Sequence, residues 1–210
     1  MQTAPRFFLE RSAIPRWSFA LLLSLSLTGC FRAGVQDQFY MLQPVKETSL
    51  TVGNGGKGIL LGLGPIKVPA YLDRPQIVTA TSAQEYRLAE SQRWAERLDD
   101  NIARVSQENL AVLVPTDRIV MHPWPREARP DIQAAIQIQE LHMDPEGNAR
   151  MVALWSVRPL NGESTHRRFA CTIPAPPNDY AQIVAAESEC LTRLNREMAQ
   201  VIRQVSPKTP

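Results

Sequence analysis

The fold class is decided by one stretch of the sequence, DIQAAIQIQEL at residues 131–141. Its apolar residues alternate with polar ones, which is the pattern of a strand with one face in a core and the other in solvent. Turn-forming residues follow at 144–148 and at Asn161-Gly162, and further strands are expected at Met151–Val157 and Thr165–Ile173. This part of the chain therefore predicts an antiparallel meander.

Two amphipathic helices are expected to accompany the meander. The first spans Ser91–Asn109, with Ser91 as its N-cap and an apolar stripe of Trp94, Leu98, Ile102 and Val105. The second spans about Asp179–Val205 and carries an apolar seam in which Glu187 is the one break. Such a seam packs on the domain's own sheet or on another helix, and packing on the sheet is favoured. We expect an α+β fold: a mainly antiparallel sheet with both helices on one face.

Shorter strands are expected in the rest of the chain. Ile59–Val68 is apolar but contains Gly62, Gly64 and Pro65, and these three residues predict a kinked or bulged strand. The segment 44–58 reads as a flexible loop, and its glycines lack the spacing and the hydroxyl residue of a phosphate-binding loop. The remaining strand candidates are Phe39–Leu42, Gln76–Thr79, Leu110–Val114 and Arg118–Met121.

The N-terminus has the organisation of an export signal. Three arginines precede the apolar run Trp17–Leu27, which is too short to cross a bilayer. The run ends in Leu27-Thr28-Gly29-Cys30, which resembles a bacterial lipobox. The resemblance implies a diacylglyceryl group on the Cys30 thiol and cleavage before Cys30. Phe31 stands where an aspartate marks inner-membrane retention, which favours the periplasmic face of the outer membrane.

This organisation divides the chain into three parts. Residues 1–29 are a cleaved lipoprotein signal peptide, residues 30–58 a lipidated leader with the first strand and the flexible loop, and residues 59–206 the remainder of a single periplasmic domain. Removing the signal leaves 20 basic and 20 acidic residues, which is unlike the basic surface that nucleic-acid binding requires. Cys171 and Cys190 either form a disulfide or remain buried thiols, and their spacing leaves both open.

The sequence offers little for catalysis. His122, His142 and His166 lack metal-ligand spacing, and no serine-hydrolase or Cys-x-x-Cys motif is present. We therefore expect no catalytic residues, no metal, no cofactor and no enzyme activity. Tyr71, Leu72, Asp73 and Arg74, in a turn between prolines 69 and 75, are candidates for a partner contact. The alternative is a structural corner with an Asp73–Arg74 surface pair.

Several of these features together resemble the PqiC-type ABC-type transport auxiliary lipoproteins, a family associated with membrane integrity. They are the lipobox, the strand 39–42, the run 64–75, the helix near Trp94–Leu98 and the closing strand and helix. The resemblance implies a non-enzymatic outer-membrane anchor that docks a periplasm-spanning MCE-domain protein in intermembrane lipid transport. It also implies inner-membrane transporter components as partners, and a homo-oligomeric ring. The alternatives are a structural lipoprotein that fastens another envelope complex and, less favoured, an envelope hydrolase.

Overall fold

The computed structural model describes residues 36–46, 58–116 and 118–206. Cys30 and the signal-peptide segment therefore lie outside the described residues, as does most of the glycine-rich loop. In chain order the elements of the described part are β1 Gln38–Tyr40, β2 Leu61–Lys67, β3 Gln76–Ala80, β4 Tyr86–Trp94, α1 Leu98–Leu113, β5 Ile119–Met121, β6 Ile132–Met143, β7 Asn148–Pro159, β8 Thr165–Pro174 and α2 Tyr180–Val205.

Strand β6, which contains the stretch 131–141, is the centre of the sheet. Along one edge it pairs antiparallel with β7, and β7 pairs antiparallel with β8. Its other edge is shared by β2, which pairs in parallel, and by β3, whose Thr79 lies parallel beside Met143. Beyond these, β2 pairs in parallel with β5, β3 antiparallel with β4, and β4 in parallel with β1.

The α+β class is confirmed, but the expectation of a mainly antiparallel sheet is wrong. In the described part of the chain the sheet is mixed, and four of its seven strand pairings are parallel. The physical reason is the connection through α1: β2 precedes this helix, while its partners β5 and β6 follow it. Parallel neighbours need such long crossovers, and residue alternation carries no signal for them.

Helix α1 begins later and ends later than the sequence predicts. Ser91 and Trp94 belong to β4, where Trp94 lies beside Tyr40 of β1 and donates its backbone N–H to the Pro75 carbonyl at 2.7 Å. The cap position is instead Arg97, which makes no side-chain cap bond. The predicted strand at 110–114 is the last turn of α1. Strand pairing of Trp94 therefore overrides the helical stripe to which the residue appeared to belong.

Both helices pack into one core on one face of the sheet. Helix α2 contacts β6, β7 and β8, whereas α1 contacts β2, β5 and α2. The strand residues below them are buried at alternate positions, as in the β7 series Ala149, Met151, Ala153, Trp155 and Val157. The seam of α2 is buried against this face, so the helix packs on its own sheet. Asp179 caps α2 by accepting a hydrogen bond from the Gln182 N–H at 3.1 Å.

Strand β2 carries the predicted irregularity. Its pairing with β6 shifts register between Leu63 and Ile66. Gly64 lies there at φ +120°, and a Cβ on this residue would come within 2.6 Å of the His122 Cβ. Glycine is needed here because any other residue would be strained at this positive φ and would place its Cβ against His122. No helix within residues 36–46, 58–116 and 118–206 is long and apolar enough to span a membrane.

Candidate functional site

The proline-bracketed turn at residues 69–75 is fixed by backbone hydrogen bonds. Leu72 and Asp73 donate their N–H groups to the Pro69 carbonyl at 2.9 and 3.2 Å. The four predicted contact residues do not form one surface, because Leu72 is buried and Tyr71 is half-buried, whereas Asp73 is exposed. Arg74 is half-buried like Tyr71, so Asp73 is the member of the predicted set that a partner could reach most directly.

Tyr71 belongs to an aromatic cluster on the sheet surface. Its ring lies 5.2 Å from that of Tyr86, and its hydroxyl is 3.5 Å from the His142 Nδ1. Burial and the neighbouring Tyr86 raise the pKa of Tyr71 to about 12, so the hydroxyl stays protonated. Burial also lowers the pKa of His142, which keeps that ring neutral at pH 7. A neutral tyrosine–histidine contact of this kind is a packing arrangement and not an activated nucleophile.

The exposed side of the turn faces a cluster of charges at the start of α1. The Arg97 guanidinium lies 3.5 Å from Asp73, 2.9 Å from Asp99 and 3.6 Å from Asp100. Asp73 thus pairs with Arg97. The structural-corner alternative predicted a pair between Asp73 and the adjacent Arg74 instead. Beside this cluster lies a depression of about 360 Å³, bounded by Pro75 and by the chain from Trp94 to Leu98. We call this charged depression the turn site.

A second feature, invisible in the residue periodicity, is a strap formed by residues 41–46. Three of its N–H groups donate to side chains on the helices: Leu42 to Asn101 at 2.8 Å, Gln43 to Ser188 at 3.0 Å and Val45 to Asn109 at 2.7 Å. Both asparagines are buried. They stand eight residues apart on α1, so they lie on the same side of the helix. Two asparagines at this spacing on a buried helix face are the sequence signal for the strap, and sequence reasoning missed it.

A groove of about 560 Å³ runs between this N-terminal segment and α2. Its lining is predominantly apolar, and Phe39 is 64% exposed beside it. We call it the strap groove; it is lined by Phe39, Tyr40, Pro44, Val45, Ala181, Val184 and Ala185, with Met41, Gln43, Lys46, Ser188, Glu189 and Thr192 completing it. The groove's volume lies within the usual range of small-molecule sites.

Glu187, the break in the α2 seam, is a buried carboxyl group. The residue is 1% exposed, and its neighbours one turn away, Ile183 and Leu191, are fully buried. Neither carboxyl oxygen has a hydrogen-bond partner among the residues that the structure describes. Burial raises the pKa of Glu187 to about 8, so the group is protonated at neutral pH.

The remaining predicted positions lie apart from these features. The structure joins Cys171 and Cys190 in a disulfide that links β8 to α2. His122 packs against Trp124 at 5.3 Å, and His166 is exposed on β8, so the histidines do not converge. Across the residues that the structure covers, no group of three histidine, cysteine or carboxylate residues could hold a metal ion.

The chain belongs to the ABC-type transport auxiliary lipoprotein components, because the model of that family matches residues 40–199. The resemblance inferred from the sequence is therefore confirmed. More particularly, the chain is similar to the intermembrane transport lipoprotein PqiC of Escherichia coli, with 30% identity over 95 residues. The aligned stretch is 45% of this chain and 50% of that relative, so this chain spans about half the length of the curated protein. The PqiC of Shigella flexneri matches equally well.

Solved structures share the fold. A crystal structure of an uncharacterised protein superposes with a TM-score of 0.66 at 19% identity, covering 80% of this chain and 99% of the other. A DUF330 protein of Xanthomonas campestris gives a TM-score of 0.58 at 16% identity, covering 79% and 94%. At these identities the likeness establishes the architecture alone. Membership in a lipoprotein family supports a membrane-anchored position in the cell envelope.

Proposed function

We propose that this chain is the outer-membrane component of an MCE/ABC-type system that moves lipid between the two membranes of the envelope. It is held by a lipid on Cys30 and docks a periplasm-spanning MCE-domain protein. The observation that carries the proposal is the family match over residues 40–199, which includes almost every described residue. The name of the relative, an intermembrane transport lipoprotein, supports the transport role.

The turn site is the surface we assign to the docking. Asp73 and Arg97 have side chains that are 49% and 60% exposed, yet their backbones are held by the turn and by the start of α1. Charged groups on a fixed backbone favour specific recognition, because little backbone entropy is lost when a partner binds. Tyr71 contributes by packing behind the turn and not by direct contact.

The docking is tested by capture of the MCE-domain protein from detergent-solubilised envelopes. Asp73→Lys reverses the charge beside Arg97, so we expect capture to fall about tenfold or more, in line with the cost of a like-charge contact. Glu163→Lys is the matched control, since Glu163 is an exposed acid in the turn between β7 and β8. Unchanged capture by folded Asp73→Lys protein removes the turn site from the interface. Capture of a different envelope complex by the wild-type chain would favour the structural-lipoprotein alternative.

The lipid anchor is tested separately. A Cys30→Ala protein is expected to fold and to leave the membrane fraction, because the acyl chains that hold it are no longer attached. Its membrane-barrier phenotype should match that of a deletion. Full complementation by this anchorless protein would show that attachment is dispensable for the function.

A further inference from the structure

The strap groove is predominantly apolar, and its Phe39 lies nine residues after Cys30, the predicted lipid attachment, in the sequence. Phe39 is 64% exposed at its edge, and Ala181 and Ala185 of α2 present an exposed, small-residue wall. Covering the Phe39 ring with an apolar partner would stabilise the complex by about 1.5–3 kcal/mol. The groove would therefore bind an apolar ligand favourably.

The length of the chain limits what that occupant can be. Five residues lie between Cys30 and Gln36, where the described domain starts, and the six Cα–Cα steps from Cys30 to Gln36 span at most about 20 Å. If Cys30 carries the lipid, the β1 end of the domain stays within this distance of the bilayer surface. An aromatic side chain that reaches the interface within this distance is favoured there, because it places an apolar body next to acyl chains.

We propose that the strap groove binds an acyl chain of a membrane phospholipid, with Phe39 inserting into the same leaflet. This inference rests on the lipid anchor of the proposed function, and it assigns the domain a direct lipid contact apart from the turn site. The strap holds one wall of the groove through Asn101, Asn109 and Ser188, so the site exists before lipid arrives. Preformed apolar sites of this size lose little conformational entropy on binding.

The test uses residues 31–210, exported behind a signal without the acceptor cysteine, so that no anchor masks the interaction. Vesicles of phosphatidylethanolamine and phosphatidylglycerol are titrated in, and bound protein is measured by co-sedimentation. We expect Phe39→Ala to weaken binding roughly tenfold, from the transfer free energy of the ring. Ala185→Glu, which puts a charge into the groove, should weaken it at least as much. Leu160→Ala is the matched control, because Leu160 is 65% exposed at the turn after β7.

Contact with the acyl region is read independently from a Phe39→Trp variant. Its tryptophan fluorescence is expected to be quenched by phospholipids brominated on the acyl chain, more strongly than that of a Leu160→Trp variant. The inference is overturned if the anchorless chain does not bind vesicles, or if Leu160→Ala weakens binding as much as Phe39→Ala. An oligomer that disperses on Phe39→Ala without any vesicle binding would assign the groove to a second copy instead.

These outcomes are separable from those of the docking proposal. Phe39→Ala and Ala185→Glu should still capture the MCE-domain protein in detergent, where no bilayer is present. Asp73→Lys should still bind vesicles, because the turn site lies on other elements of the fold. Loss of one property without the other therefore shows which of the two proposals has failed.

Discussion

Replacing Glu187 by glutamine should remove a pH-dependent weakness from the fold. The carboxyl is fully buried and lacks a hydrogen-bond partner among the described residues, and burial raises its pKa from the ordinary value of 4.5 to about 8. Below pH 4.5 the group is protonated in both the folded and the unfolded chain and contributes no difference. Between pH 4.5 and 8 the unfolded chain loses the proton while the folded chain keeps it, so stability falls as pH rises.

The magnitude follows from the width of this window. Each pH unit inside it costs about 1.4 kcal/mol of unfolding free energy. From pH 5 to pH 8 the wild-type chain should therefore lose roughly 3 to 4 kcal/mol relative to Glu187→Gln, which has no proton to release. Near pH 5 the two proteins should differ little, and near pH 8 the variant should be clearly more stable.

The assay is urea unfolding followed by tryptophan fluorescence at four pH values, with the disulfide kept oxidised. Glu197→Gln, at a half-buried position of the same helix, is the control and should change stability by less than about 0.5 kcal/mol at any pH. A constant difference between wild type and Glu187→Gln across the series would refute the reasoning. It would mean that the carboxyl is already solvated or ionised in the folded chain.

Three further substitutions test the fold. Replacing Cys171 and Cys190 together by serine should lower the free energy of unfolding by roughly 3 kcal/mol, because their bridge joins residues 19 positions apart in the sequence. Urea unfolding of the wild-type chain with and without reductant checks this. A wild-type stability that does not respond to reductant would contradict the prediction. Asn109→Ala leaves the Val45 N–H without its acceptor and should cost about 1 kcal/mol; hydrogen exchange at Val45 should quicken, and unchanged exchange would show that the strap is held elsewhere. Gly64→Ala places a Cβ against His122 at a positive φ, so it should lower the free energy of unfolding by about 1–3 kcal/mol and lower the Tm in thermal unfolding. An unchanged Tm would mean that β2 relaxes to accommodate the side chain.

Local sequence patterns correctly predicted the type and place of the strands and the helix that bury one face and expose the other. The alternation in 131–141 and the turns after it correspond to β6, β7 and β8, and the seam of α2 ends where periodicity places it. The motifs from Ile66 to Pro75 led to the correct family, although they are not catalytic signatures. These signals are local, so they can be read without knowing the neighbours.

Strand order and the surfaces came from tertiary structure. Alternation shows which side of a strand is buried, but it does not show that β2 lies in parallel beside β6, since that neighbour is chosen by the crossover through α1. Trp94 fits a helical stripe, yet pairing with β1 places it in a strand. The predicted contact residues also separated, because the turn that fixes Asp73 outward directs Leu72 into the core.

The sequence by itself determined the family, the α+β class and the lipid-anchor hypothesis on Cys30, since each depends on local residue patterns that can be read one after another along the chain. The tertiary structure alone decided that 41–46 forms a strap over the helices, that Phe39 borders a groove, and that Glu187 is buried without a partner among the described residues. Those properties depend on which distant segments come together. A carboxyl group in a helix seam has no defined pKa until its surroundings are assembled, because desolvation is set by every element packed around it.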